Sequence, residues 1–431
     1  MAGWRWLAVA GALAAVLWHP AALAVPADAA LAGQPAIAGE IRAQARGRMK
    51  TFYASQGFWP LWAASGRIGP EAEALIGFLA TADRDGLKPS SYKLDALRDA
   101  MAAAATGDPR AVARAELRLS EAFSRYASDM RKPSRIEMIW LDERLRPKKP
   151  RPEAMLRAAS LPRSFADYVT MMGWMNPHYV AMRGLMGRGG DDEAARRLRI
   201  NLDRARVLPG PWTHHIVVDA ASGRLWYYQA GKAAGTMRVV VGKPEAPTPM
   251  LAGMLQYAIL NPYWNVPVDL AQTLVAPRVL AGRSLKAMGY EALSDWSAAP
   301  QRLDATAIDW PAVASGAQEV RIRQLPGAGN AMGRVKFMFP NDDGIYLHDT
   351  PDRGLFARED RHFSNGCVRL EDAAGLGKWL LGRPIKAASR VPEQAVALAV
   401  PVPVYLTYFT AMEGPDGVAF RDDVYGRDQA E

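Results

Sequence analysis

Residues 346–372 read YLHDTPDRGLFAREDRHFSNGCVRLED. Alternation at the head of this run puts Ile345 and Leu347 on one face of an extended strand and Tyr346 and His348 on the other, so one side is apolar and the other carries an imidazole and a phenol. Nineteen positions after His348 stands Cys367, the only cysteine among 431 residues. It follows Gly366 in the polar turn SNGC, and Arg369, two residues further along an extended chain, points to the same side as the thiol.

The same period of two continues outward in both directions. HHIVVD and RLWYYQ flank the turn AASG and read as a hairpin; TMRVVVG, LQYAIL, VRIRQL, VKFMFP, PVYLTYFTA and GVAFRDDVYG read as further strands. Between Asp269 and Glu319 the texture changes to a helix-like LAQTLVAPRVLAG and a polar stretch, which reads as an insertion between strands. Upstream of Leu208 the spacing is helical, as in PEAEALIGFLATAD at 70–83 and AVARAELRLSEAFSRYASDM at 111–130. GDDEAARRLRINLDRARVLPG closes this half as a helix that starts at Asp191 or Asp192 and is stopped by Pro209. Its arginine run reads as a solvated face, and RPKKPRPE at 146–153 as a linker. The fold class is therefore α+β and multidomain: a helical N-terminal part over 25–208, then a mostly-β domain over 209–431 with an inserted subdomain at 269–319.

Composition sets limits on function. With 49% hydrophobic and 23% charged residues the chain buries a sizeable core and is not disordered. The formal charge of +9 is scattered, and no aromatic-plus-basic module or helix-turn-helix pattern accompanies it, so nucleic acid is not the expected partner. Residues 1–24 combine Arg5, an apolar run from Leu7 to Trp18 and the small-x-small site Ala22-Leu23-Ala24, the pattern of a secretory signal. An uncleaved anchor is the alternative reading; no later segment is apolar and long enough to span a bilayer. A lone thiol in an exported protein cannot form an internal disulfide and is exposed to oxidation, a reason to lose it unless it works.

The residues near Cys367 suit such work. A neighbouring histidine raises the thiolate fraction or takes the proton during attack, Asp349 is placed to fix the imidazole tautomer through its carbonyl or side chain, and SNGC offers consecutive amides to an oxyanion. Each residue has a plainer reading. A lone Cys is commonly a small buried hydrophobe, a lone His a satisfied structural residue, and Arg369 a partner for Glu371 or Asp372. His348, Asp349, His362 and Cys367 are also metal-ligand types, although no pair has a metal-finger or HExxH spacing. His214 and His215 face opposite ways along a strand, which argues against a shared ion.

The run from Tyr346 to Asp372 resembles the signature of the L,D-transpeptidase (YkuD) family, in which a His is followed at 14 to 17 residues by Ser or Thr, any residue, Gly and Cys; here the gap from His348 to Ser364 is 15 residues. MRVVVGKPEAPTP, NPYWNVP, RQLPGAGNAMGRVKFMFPNDDGIYLHDTP and the C-terminal VPVYLTYFTAMEG and GVAFRDDVYGRD resemble the large periplasmic, YcbB-like branch. FYASQGFWPLW and DRDGLKPSSY resemble the helical scaffold that precedes the catalytic domain there. The resemblance implies Cys367 as nucleophile, His348 as base, Asp349 as its orienter and the Gly366 and Cys367 amides as the oxyanion hole. Tyr346, Arg369, Ser364, Asn365 and Trp264 would line the substrate cleft, and the insertion would be a mobile cap. It implies a periplasmic enzyme that needs no cofactor or metal. The enzyme would cross-link peptidoglycan stem peptides, donor to acceptor, through a cysteine thioester with release of D-Ala, would be sensitive to carbapenems, and would work beside other cell-wall synthesis proteins. A hydrolase of the same fold, an L,D-carboxypeptidase, and a non-catalytic wall-binding protein are the alternatives, and a 1–3 linkage an alternative to 3–3. Asn365 stands where much of the family has His, and the branch's peptidoglycan-binding repeat pattern is not found between 85 and 200.

Overall fold

The computed structural model describes residues 33–429 except 132–135, 189–190, 298, 388 and 416, so the expected signal segment 1–24 lies outside the described residues. Among the described residues no helix is long and apolar enough to cross a membrane.

The N-terminal half is built on the helix Pro109–Met130. Asp108 caps it by accepting from the amide of Ala111, and Pro109 opens it where no helical amide partner is lost. Val112, Leu119, Phe123, Tyr126 and Met130 form a buried stripe at intervals of three to seven residues. Around Phe123 the rings of Trp62, Phe165 and Trp174 meet edge to face at 5.2 to 6.3 Å. Among the carboxylates buried between these helices, Glu116 and Asp85 each accept from three neighbouring residues. Glu116 accepts from Tyr53 Oη at 2.6 Å and from the amides of Leu61 and Trp62 at 2.6 and 3.0 Å. Asp85 accepts from Tyr126 Oη at 2.7 Å, Tyr179 Oη at 2.8 Å and Arg183 Nε at 2.8 Å. Inside the helix a single apolar stripe would give adhesion without uniqueness; these polar centres specify which helix meets which.

The arginines of the helix Asp192–Arg206 are not a solvated face throughout. Arg204 and Arg206 are only 4% and 6% exposed. Arg204 and Arg197 each reach the carboxylate of Asp428 at 2.8 Å, while Arg206 donates to the carbonyls of Met130 at 3.2 Å and Asp85 at 3.0 Å. Their partners lie far off in sequence, where charge patterning cannot see them. The chain's last described residues thus return to the helical half, and Val418 and Phe420 pack on its core.

Short strands punctuate that half: β1 (Ala63–Ala64), β2 (Arg67–Ile68) and β3 (Ile139–Trp140). The second half supplies β4 (His215–Asp219), β5 (Arg224–Gln229), β6 (Lys232–Gly242), β7 (Leu251–Leu260), β8 (Trp264–Val266), β9 (Tyr290–Leu293), β10 (Arg302–Leu303), β11 (Arg321–Gln324), β12 (Val335–Met338), β13 (Leu347–His348), β14 (His362–Ser364), β15 (Val368–Leu370), β16 (Gln394–Thr407), β17 (Ala411–Gly414) and β18 (Gly417–Phe420). Strand order is β12-β13-β15-β6-β5-β4-β16-β7, and β7 pairs back to β12, so the sheet closes on itself. Closure leaves no edge along that ring and gives it one inside. Val218, Leu225, Val239, Leu255, Phe337, Leu347, Val368, Leu370 and Val404 fill the inside. Outward-facing Val217, Tyr228 and Tyr405 join the helical core instead, and β3 adds to the sheet at β7, so the two halves share a packed interface.

Between β7 and β12, which are antiparallel neighbours, the chain makes an excursion with its own four-stranded sheet, β10-β9-β11-β8, and its own core around Val275, Trp310 and Ile322. The excursion is longer than the 269–319 expected from texture, because its sheet recruits Trp264–Val266 at one end and Arg321–Gln324 at the other. Such short strands carry too few residues for their period to register.

Replacing Asp85 by Asn strands the buried Arg183 without a counter-charge, a situation that costs about 3 kcal/mol or more. The urea midpoint followed at 222 nm is expected to fall accordingly, whereas Arg98→Ala, which breaks only the exposed pair with Asp95, moves it by less than about 0.5 kcal/mol.

Candidate active site

Three neighbouring strands carry the site. In β12 Lys336 lies opposite His348 of β13, and His348 lies beside Arg369 of β15. Residues paired across strands share a face, so Lys336, His348 and Arg369 form one row. Their neighbours Phe337, Leu347, Val368 and Leu370 turn into the core, as alternation requires.

His348 is 2% exposed, and its Nδ1 sits 2.6 Å from the carbonyl oxygen of Asp349. A carbonyl can only accept, so Nδ1 carries the hydrogen and Nε2 keeps the lone pair. The orienting group is therefore the backbone of Asp349. Its carboxylate points elsewhere, accepting from the amide of Arg334 at 2.9 Å and lying 3.6 Å from Arg353. Burial, reinforced by the positive charges of Arg369 and Lys336, pushes the imidazole down to about 3, so it is neutral at physiological pH.

Cys367 is partly exposed, and its Sγ is directed at the carbonyl of Gly344 at 3.4 Å. Burial raises its pKa; the backbone N–H of Tyr346 and the charge of Arg369 act the other way and do not cancel it. Among the described residues no hydrogen bond joins the thiol to the imidazole. The two side chains rest as a thiol and a neutral imidazole, each hydrogen-bonded to a different backbone carbonyl.

The turn before the thiol is braced from below. Gly366 has φ 102, and a Cβ there would lie 2.9 Å from Ile345 Cδ1, so glycine alone suits the position. Its carbonyl accepts from Thr248 Oγ1 at 2.8 Å, and Thr248 in turn accepts from the amide of Gly242 at 2.9 Å. Ser364 Oγ donates to the carbonyl of Cys367 at 2.5 Å. With the carbonyls tied down, the amides of Gly366 and Cys367 have no acceptor among the described residues. The chain's end reinforces Thr248: Arg427 donates to its carbonyl at 3.0 Å, and Tyr425 hydrogen-bonds the Gly242 carbonyl.

The structure brings together Cys367, His348, Gly366, Tyr346 and Arg369. Tyr346 is shifted upward by burial first and then by the proximity of Cys367, Tyr257 and Glu393. The Arg369 guanidinium has no hydrogen-bonded partner among the described residues; Glu371 is engaged by Arg238, and Asp372 caps the helix Ala373–Leu381. Asn365 is exposed at the turn. Ser364, expected to line the cleft, is corrected: it is 2% exposed and its hydroxyl serves the turn from inside. Trp264 sits in the inserted sheet, paired with Gln324, with its ring 6.4 Å from that of Tyr290. His362, another ligand-type residue, is held by Asp360 at 2.6 Å and the Ala220 carbonyl at 3.0 Å. His214 and His215 do face opposite ways, onto Trp379 and Tyr228 respectively. The residues missed by sequence reasoning are Lys336 and Thr248. Alternation in VKFMFP could have found Lys336; Thr248 acts across 118 positions, and no local pattern reveals it.

Residues 213–400 match the L,D-transpeptidase catalytic domain, YkuD, and residues 47–186 match a scaffold domain. A Haemophilus influenzae protein named "Putative L,D-transpeptidase" is 32% identical over 247 residues, 56% of this chain and 49% of that protein. The chain thus spans about half the length of the curated relative it matches. Among solved structures, an L,D-transpeptidase from Mycobacterium smegmatis is 13% identical over 45% of this chain and 58% of that one, with a TM-score of 0.23. The Ldtfm-avibactam carbamoyl enzyme is 16% identical over 47% and 51%, with a TM-score of 0.21. Overlaps that partial carry no weight on architecture.

A thiol above its usual range beside a neutral imidazole has a diagnostic pH profile. Alkylation of Cys367 by iodoacetamide should quicken about tenfold per pH unit from pH 6 to pH 8, following the thiolate fraction. A rate independent of pH in that window would mean a preformed thiolate–imidazolium pair and would refute the neutral ground state.

Proposed function

Because the chain carries an L,D-transpeptidase catalytic domain of the YkuD family behind a scaffold domain, we propose that it joins peptidoglycan stem peptides through a thioester on Cys367. The observation that carries this reading is the tautomer of His348: a base whose Nδ1 is spent on a backbone carbonyl has Nε2 free, beside a thiol whose turn leaves two amides without acceptors.

The reaction uses these parts in order. The donor is a tetrapeptide stem whose third residue is diaminopimelate, and the scissile bond joins its L-centre to D-Ala. Cys367 Sγ attacks that carbonyl carbon as its proton passes to His348 Nε2. The amides of Gly366 and Cys367 receive the negative oxygen. Collapse of the tetrahedral species breaks the C–N bond, the proton returns from Nε2 to the leaving nitrogen, and D-Ala departs. The amine of a second stem then attacks the thioester carbonyl, gives its proton to Nε2, and displaces the sulfur, which takes that proton back. A 3–3 cross-link is the product, and the thiol is regenerated. Only side chains and backbone amides take part in these steps. Arg369 and Tyr346 hold the donor, with Asn365 at the rim, and the inserted subdomain covers the cleft. A strained β-lactam carbonyl of the carbapenem type would acylate the same sulfur. The proposed place of action is the periplasmic cell wall, reached through the signal at 1–24, beside other wall-synthesis proteins.

Mass spectrometry of the purified protein with disaccharide-tetrapeptide tests this. Loss of D-Ala with a cross-linked dimer is expected, abolished in Cys367→Ala and reduced on the order of 10²- to 10⁴-fold in His348→Ala. Tripeptide without dimer would make the protein an L,D-carboxypeptidase. No turnover and no acyl-enzyme mass would leave a wall-binding protein.

A further inference from the structure

Beside the proposed nucleophile and base stands a charged pair that the chemistry above does not use. Lys336, on the His348 face of β12, places Nζ 3.3 Å from Glu393 Oε1, with side chains 13% and 35% exposed. Glu393 Oε1 also accepts from the amide of Tyr263 at 2.7 Å, while Oε2 has no partner among the described residues. Lys336 keeps donors to spare, since an ammonium has three and this contact uses one.

The backbone at Glu393 argues that the carboxylate is held there for use. Its φ is 56, in the left-handed region that β-carbon residues avoid and Gly or Asn would occupy more cheaply. The conformation is enforced from the β7 end. Asn261 Nδ2 donates to the carbonyls of Ser389 at 3.0 Å and Val391 at 3.3 Å, and its own carbonyl accepts from the amide of Glu393 at 3.1 Å. A tether between the end of β7 and this turn already exists in those bonds. The pair adds one cation and one anion, each with unspent hydrogen-bonding capacity, to the row that Lys336 shares with His348 and Arg369.

We propose that Lys336 and Glu393 are specificity-determining residues that read the zwitterionic end of the donor's diamino acid, Lys336 binding its distal carboxylate and Glu393 its distal ammonium. The inference rests on the thioester reading. Diaminopimelate ends in a free amino-acid group, a positive and a negative charge on one carbon, and a Lys–Glu pair with free valences on both partners is complementary to it. A lysine side chain at the same stem position presents the ammonium alone. An amidated diaminopimelate presents it with a neutral amide, and either leaves the spare donors of Lys336 without a carboxylate from the substrate, with Glu393 as its one anionic partner among the described residues.

Steady-state kinetics with tetrapeptide donors carrying diaminopimelate, lysine or distally amidated diaminopimelate decides the matter. The wild type is expected to favour diaminopimelate over either alternative by at least about tenfold in kcat/KM. Lys336→Met should bring that ratio to within about threefold of unity, Lys336→Arg should keep it, and Glu393→Gln should raise KM for every donor that bears the distal ammonium. Because Lys336 also adjoins the base, the ratio between donors is the readout; a general loss of rate cancels from it. A Lys336→Met protein that retains the wild-type ratio would reduce the pair to a tether and overturn the inference. A wild type that turns over no donor would overturn the thioester reading beneath it.

Discussion

A closed sheet has a single inside, and everything at the site follows from that constraint. Once β7 pairs back to β12, every strand of the ring must turn alternate residues inward, and those residues must be apolar. Phe337, Leu347 and Val368 meet the demand, so Lys336, His348 and Arg369 have to share the other face in register. The ring does not merely support the site; it decides who stands next to whom. A one-residue slip of β13 would send His348 into the core and Leu347 into the cleft, which is why the register is strongly specified here.

That row has an electrostatic consequence. An imidazole buried between two cations cannot hold a proton at neutral pH, and a hydrogen bond to a backbone carbonyl leaves the lone pair on one particular nitrogen. The imidazole is consequently neutral, with its lone pair on Nε2, and is not half of an ion pair. Precision at the Cys367 turn comes from a different source. Thr248, Ser364 and the strapping tail at Tyr425 and Arg427 fix the carbonyls of the turn, and through Asp428 that tail is bound to Arg197 and Arg204 of a helix in the scaffold half. The N-terminal half is thus physically continuous with the turn that presents the thiol.

Much of this was legible before any coordinates. Period two marked the strands and period 3.6 the helices, and a solitary cysteine behind glycine, spaced from a histidine on a polar strand face, marked the candidate site. What escaped reading has a common physical origin. Arg197 and Arg204 of the helix Asp192–Arg206 look solvated because their partner, Asp428, is over 200 positions away. Ser364 looks like a cleft residue because a signature motif records identity and not orientation; its hydroxyl in fact turns toward the Cys367 carbonyl. Trp264 stands in a strand of the inserted sheet, a placement that its sequence hides because the pieces of that sheet are too short to show a period. Asp349 adjoins His348 in sequence, yet whether its carbonyl or its carboxylate meets the imidazole depends on a backbone turn that sequence does not specify.

The central claim is that His348 rests neutral with its hydrogen on Nδ1. Nitrogen-15 NMR of selectively labelled protein at pH 7 measures this directly, with His348→Gln used to assign the resonance. The account predicts one protonated, pyrrole-type nitrogen and one unprotonated, pyridine-type nitrogen, with the protonated one at Nδ1. Two protonated nitrogens of similar shift, the mark of an imidazolium, would contradict it.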